Sequence, residues 1–390
     1  MVGRSPQRRL KLADRLQSTG PRKLLAIDGG GIRGVLSLGV LASIESLLIA
    51  ESGRPDYRLA DYFDYVSGTS TGGIIAAGIA TGMSVAEILD FYVRNGANMF
   101  EKARLVDRVR LLAQYQSEPL AEQLRAAFGE KTTLDAPEIE SLLLLMMRNA
   151  TTDSPWPVSN NPFARYNDLA HSGCNLKFPL WQLVRASTAA PTYFPPEVIE
   201  CGGKPFVFVD GGITMYNNPS FQMFLMATVD RFWVKAPQKR GWDTGTDRML
   251  IISVGTGTSA GENFSLRPEQ MNLLFNASAI PSALMYAALN EQDFLCRVFG
   301  DCVAGPPLDR EVDTMQASQG PLNEKLFRYA RYNAELTLDG LAELGCGGIE
   351  PASVQQLDSI AAIDDLQRIG TAVAEKRVER EHFNFAVFKP

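Results

Sequence analysis

Short apolar runs ending in glycine alternate with stretches of helical periodicity along this chain. Lys23 to Ile27 is apolar and runs into Asp28-Gly29-Gly30-Gly31, the pattern of a buried strand entering a glycine turn. Val35, Leu36, Leu38, Leu41, Ile44, Leu47 and Leu48 then follow helical spacing, and Gly53 and Pro55 mark the stop. Phe63 to Ser67 predicts a second short strand ending at Gly68, followed by an apolar helix over Ile74 to Ile79. Ser84-Val85-Ala86-Glu87 has the spacing of a capping box, in which serine takes the N3 amide and glutamate reaches back. Val85, Ile88, Leu89, Tyr92 and Val93 form one apolar face of the helix beyond it. Further helices are predicted after Ser117 and Pro119 and over Leu180 to Ala190, with strands over Phe206 to Val209 and Met249 to Val254. The stretch from Val354 to His382 reads as helical and charged, and Thr151 to Ala164, rich in Pro, Asn, Ser and Thr, as a surface loop. Strands alternating with helices predict an α/β domain with a mostly parallel sheet covered on both faces.

Composition narrows the picture. The 390 residues, 45% of them hydrophobic, can bury a large core as one unit. A net charge of −6 argues against a nucleic-acid partner held by a broad basic face. Positive charge concentrates at the start, in Arg4, Arg8, Arg9, Lys11, Arg15, Arg22 and Lys23 against Asp14. Residues 1–22 therefore read as a basic segment preceding one domain over 23–390, as a solvated terminus or a weak contact for anionic lipid headgroups. No signal-type apolar run follows these charges, and stretches such as Leu142 to Met147 are too short to span a bilayer. The five cysteines are scattered, with no C-x-x-C pair, which fits a reducing cytoplasm and gives no sign of a zinc site.

Three segments carry candidate chemistry. Gly68-Thr69-Ser70-Thr71-Gly72 matches G-x-S-x-G, in which a sharp strand-to-helix corner exposes a nucleophilic serine at a helix N-terminus. A serine needs a base, and the chain has only two histidines, His171 in a loop-like stretch and His382 at the end of a charged helix. A carboxylate base is then the alternative. Asp210 is the strongest candidate, because Val207-Phe208-Val209 sets it at a strand end, where a parallel sheet gathers its ligands. A turn aspartate before Gly211 and Gly212 is the competing reading. In Asp28-Gly29-Gly30-Gly31-Ile32-Arg33-Gly34 the glycines let successive amides face one small space. That loop is either an oxyanion hole or a phosphate-binding turn, although the Walker lysine is missing. Arg33 could pin the loop, meet an anionic headgroup or form a structural ion pair.

Together, in this order, these segments resemble the patatin-like phospholipase family. Softer matches are Ala186-Ser187-Thr188-Ala189-Ala190-Pro191-Thr192-Tyr193-Phe194, Asn217-Asn218-Pro219 and Ser253-Val254-Gly255-Thr256-Gly257. The likeness covers roughly residues 23 to 260. It implies a three-layer α/β/α fold and a Ser70–Asp210 dyad without histidine. It also implies an oxyanion hole from Gly29, Gly30, Gly31 and Arg33, framed by Asp28, Gly34, Gly68, Gly72, Gly211 and Gly212. The implied activity is hydrolysis of fatty-acyl esters of membrane lipids, without metal or other cofactor, by a chain in peripheral contact with the membrane. Other readings are a soluble carboxylesterase for short acyl esters, a nucleotide- or phosphate-binding module, and a lipid-binding scaffold. Some bacterial members of the family are toxins or defence effectors switched on by a partner or small molecule, so an activator fits the resemblance.

Overall fold

The computed structural model describes residues 12–99, 115–259, 267–271 and 273–390. Its strands are β1 (Arg22–Ile27), β2 (Tyr65–Thr69), β3 (Leu142–Asn149), β4 (Ser154–Ser159), β5 (Glu197–Cys201), β6 (Lys204–Asp210), β7 (Met249–Val254), β8 (Asp301–Ala304) and β9 (Arg328–Tyr332). They form one sheet in the order β5-β6-β3-β2-β1-β7-β9-β8, with β4 added along β3. The block from β3 to β8 is parallel. β4, β5 and β6 pair antiparallel.

Both faces of the sheet are buried, which explains its unbroken apolar strands. Leu25, Ile27, Leu143, Leu145, Met147, Leu250 and Ile252 share one core with the helices Gly34–Ser52, Thr71–Ala80 and Ile363–Arg377. Leu24, Ala26, Leu142, Leu144, Met146 and Ile251 point the other way, onto the helix Ser220–Thr228 and Cys296. Successive residues serve opposite faces, so Leu142 to Met147 of β3 are all apolar. The result is the three-layer α/β/α arrangement that the sequence predicts. The capping box at Ser84 forms, with Ser84 N donating to Glu87 at 2.8 Å and Glu87 N donating to Ser84 Oγ at 3.2 Å. Val93 departs from the predicted face and is exposed. Among the described residues, one helix, Gly31–Ser52, is long and apolar enough to cross a membrane, yet it is mostly buried in the core.

Several expectations need correction. The stretch 151–164 is not all loop, because Ser154–Ser159 forms β4 on β3. Pro155 and Pro157 hid it, since proline suits an edge strand that lacks one row of donors. The fold also begins before residue 23. A helix over Leu12–Gln17 packs Leu12 and Leu16 on the second core, and Arg22 opens β1. Arg15 is buried, donates to the Phe63 carbonyl at 3.1 Å and pairs with Asp64 at 3.5 Å, while Arg22 lies 4.6 Å over the Trp242 ring. These two basic residues are structural, while Arg4, Arg8, Arg9 and Lys11 lie outside the described residues.

The antiparallel β6 matters most for the site. Met146 of β3 pairs with Thr69 of β2, and the next residue, Met147, pairs with Asp210 of β6. β4 runs beside Leu144–Asn149 and fills the opposite edge of β3. Hence β2 and β6 share one edge and meet end to end. Asp210 does not reach the site as the end of a parallel strand, as its position in sequence suggested. It arrives from the opposite direction, aimed at the corner after β2.

Candidate active site

The corner after β2 is strained where chemistry needs it. Ser70 adopts φ 55° and ψ −123° and caps the helix Thr71–Ala80. A side chain on Gly68 would strike the Gly72 carbonyl, and one on Gly72 would strike the carbonyls of Ile27 and Asp28. The two glycines thus permit a bend that no larger residue allows. Ser70 N donates to Ser187 Oγ at 3.0 Å, and that hydroxyl donates to the Met146 carbonyl at 2.6 Å. Sequence reasoning assigned Ser187 no role, although it lies in a segment singled out there. The strain at Ser70 is held by this bridge to β3.

Ser70 Oγ donates to Asp210 Oδ2 at 2.5 Å, although 140 residues separate the two. The other carboxylate oxygen accepts from Gly212 N at 2.6 Å. A side chain on Gly211 would strike the Met146 carbonyl, so this glycine lets the turn press against β3. Burial pushes the Asp210 carboxyl up to about 6, against the opposing pull of Ser70, Gly212 and the buried Arg185. The histidines stand elsewhere. His171 is exposed beside Asp168, and His382 Nδ1 lies 3.0 Å from Tyr332 Oη.

The glycine loop lies against the same corner. Gly31 has φ 59°, and a side chain there would strike the Leu357 carbonyl. Gly29 is excluded as an oxyanion donor, because its amide donates to the Asn217 carbonyl at 3.0 Å. Its own carbonyl accepts from Thr256 Oγ1 at 2.7 Å. Among the described residues, the amides of Gly30 and Gly31 donate to no protein acceptor. Arg33 reaches back to the Gly30 carbonyl at 3.5 Å and also lines the cavity. Burial lowers the Arg33 guanidinium to about 10, so it stays cationic at neutral pH. Gly34 lets its helix cross Thr71 closely. Asp28 is buried and bound to Arg331, which no pattern around residue 28 announces.

Above these groups opens a cavity of about 770 Å³. Ile74, Leu120, Phe194, Ile213, Met285 and Leu289 supply apolar wall, and Ser70, Asp210, Gly30, Gly31 and Arg33 supply the polar end. A family model of patatin-like phospholipases matches residues 25–223, a span that holds Ser70, Asp210 and the glycine loop.

The chain belongs to that family.

Among its relatives, the cGAMP-activated phospholipase of Escherichia coli is 31% identical over 255 residues, covering 64% of this chain and 65% of that protein. The cGAMP-activated phospholipase of Vibrio cholerae is 30% identical over 264 residues, covering 64% and 67%. About a third of each relative therefore lies outside the match. Human GIVD cytosolic phospholipase A2 shares the fold, with a TM-score of 0.50 at 13% identity over 97% of this chain and 62% of that one. In this patatin-like chain, a hydroxyl, a carboxylate of raised pKa and two open amides converge on one apolar cavity. Such a set can open an acyl ester by nucleophilic attack.

Proposed function

We propose that the chain is a lipid acyl hydrolase with Ser70 as nucleophile and Asp210 as its base. The observation that carries this reading is the 2.5 Å contact between Ser70 Oγ and Asp210 Oδ2 beside the open Gly30 and Gly31 amides. Ser70 Oγ bonds to the ester carbonyl carbon while its proton passes to Asp210 Oδ2. The carbonyl oxygen gains charge and is met by the two amides. The ester C–O bond then breaks, and the leaving alcohol takes the proton from Asp210. Water, deprotonated by the same carboxylate, attacks the acyl-enzyme and frees the fatty acid and Ser70. No metal enters these steps. A cavity of about 770 Å³ with apolar walls suits a long acyl chain, and Arg33 at its polar end suits an anionic headgroup. A phosphate-binding module fits less well, because the buried Asp210 carboxylate shares the space that a phosphate would need.

The test is fatty-acid release from phospholipid vesicles by the purified chain. Two relatives are named for activation by cGAMP, so the assay runs with and without that compound. Release in either arm supports the hydrolase, and release in neither ends it. A rate that rises when lipid passes from monomers to vesicles marks a lipid enzyme acting at the membrane surface. A flat rate marks an esterase of soluble esters.

The raised Asp210 pKa gives a pH prediction. Only the ionised carboxylate can take the serine proton, so activity must fall as acid protonates it. On a soluble ester, kcat/KM is expected to drop below a midpoint near pH 6, about two units above an ordinary aspartate. A midpoint near 4 would contradict a buried base.

A further inference from the structure

We infer that Arg331 is a positioning residue that holds the oxyanion loop in line through Asp28. The inference rests on the hydrolase reading above. Asp28 follows β1, and Arg331 stands on β9, two strands away. The registers align Ala26 with Ser253 and Ser253 with Arg331. Neighbouring strands lie about 4.8 Å apart, so only a long side chain crosses β7 to reach β1. Arg331 does so, donating through its two terminal nitrogens to Asp28 Oδ1 at 2.8 Å and Oδ2 at 2.5 Å. Ser253 Oγ, on the strand between, accepts from the same guanidinium at 2.8 Å. A two-pronged contact fixes the plane of the carboxylate as well as its distance. Arg331 is 1% exposed and Asp28 0%.

The contact belongs to a longer chain of alternating charge. Asp293 Oδ2 lies 3.9 Å from Arg331 Nε. Asp293 accepts from Arg297 at 2.9 and 2.7 Å and from Tyr329 Oη at 2.9 Å. Arg297 in turn donates to the carbonyls of Pro306 and Thr314, both at 2.8 Å. Asp293 and Arg297 sit on the helix Leu273–Phe299, whose Met285, Tyr286 and Leu289 line the cavity. The wall that meets an acyl chain and the loop that meets the carbonyl oxygen are thus joined under the surface. Of the four charged residues, only Asp28 falls inside the stretch matched to the family.

The loop needs such a clamp. Three glycines follow Asp28 and bring no side chains to fix their peptide planes. The planes are held from outside, Gly29 by Asn217 and Thr256 and Ile32 by the Leu357 carbonyl. The Asp28–Arg331 contact is the charged, two-pronged clamp of this set. Loosening it turns the Gly30 and Gly31 amides away and leaves the nucleophile and base in place. A buried ion pair is in itself a weak source of stability, so a role in geometry accounts for it better.

The experiment compares the full chain with Arg331→Lys and Ser253→Ala. With a short acyl nitrophenyl ester, Arg331→Lys is expected to lower kcat about 10- to 100-fold. KM should stay within about two-fold. An acyl trifluoromethyl ketone, whose serine adduct carries an oxyanion, should lose affinity by a similar factor. Ser253→Ala should show a smaller loss of the same kind. Amide hydrogen exchange over residues 28–33 should quicken in both variants. A folded Arg331→Lys chain with unchanged kcat, or with its loss carried by KM, overturns the inference. If that variant does not fold, Ser253→Ala decides on the same terms. An unsubstituted chain that cleaves no ester would sink the hydrolase reading alone. The exchange measurement then decides this inference, for it when both variants quicken and against it when neither does.

Discussion

Ser70→Ala is expected to cut fatty-acid release on the order of 10⁴-fold or more, and Asp210→Asn to cut it comparably. Alanine keeps the Cβ that the strained corner already tolerates, so the chain should still fold. Asparagine keeps the shape of Asp210 and can still accept from Gly212 N, but it cannot take a proton from Ser70. Because the two act as one unit, the double variant should be no slower than Ser70→Ala. Stability separates them. The folded pKa of Asp210 is raised to about 6 from the ordinary 3.8, so its contribution to stability is present below pH 3.8 and lost as pH rises through 6. At 1.36 kcal/mol per pKa unit, keeping it ionised costs about 3 kcal/mol. Asp210→Asn should therefore raise the urea midpoint at pH 8 and lose that gain below pH 4. Activity above a tenth of normal in either single variant would reject the dyad.

Gly31→Ala is expected to lower kcat about 10²- to 10³-fold, the usual effect of losing an oxyanion donor. The backbone there has φ 59°, and an added methyl would strike the Leu357 carbonyl. That carbonyl accepts from Ile32 N at 2.8 Å, so the clamp on the loop is disturbed as well. The left-handed backbone costs alanine about 1–2 kcal/mol in addition. Gly53→Ala is the control, since Gly53 has φ 64° with nothing within 4 Å. It should show similar backbone strain in urea melts and unchanged kcat. Equal catalytic losses in the two variants would mean that strain alone, and not the donor, explains Gly31. The acid limb near pH 6 should persist in Gly31→Ala, because Asp210 is untouched.

Local pattern revealed much of this site. The elbow at Ser70 is legible because sharp bends demand small residues at fixed offsets, and Gly68 and Gly72 stand there. The loop at Gly30 and Gly31 is legible for the same reason. What local pattern hides is partnership across strands. Arg331 looks out of place in Arg328–Tyr332, and only the sheet order shows that it crosses to Asp28. Gly29 and Gly30 read alike in sequence, yet Asn217 engages one amide and leaves the other open. β4 and the direction of β6 stayed hidden too. Proline masks the first, and nothing along a single strand records which way its neighbour runs.

The end-to-end meeting of β2 and β6 on one edge of β3 makes the proposed dyad wait for synthesis to pass residue 210. A nascent chain carries its nucleophile long before its base has left the ribosome, and the two come together only once the later hairpin docks. Fragments ending ahead of residue 204 would hold a serine corner with no proton acceptor. If the proposed dyad is right, pieces of the chain that stop ahead of that hairpin cannot cleave an ester.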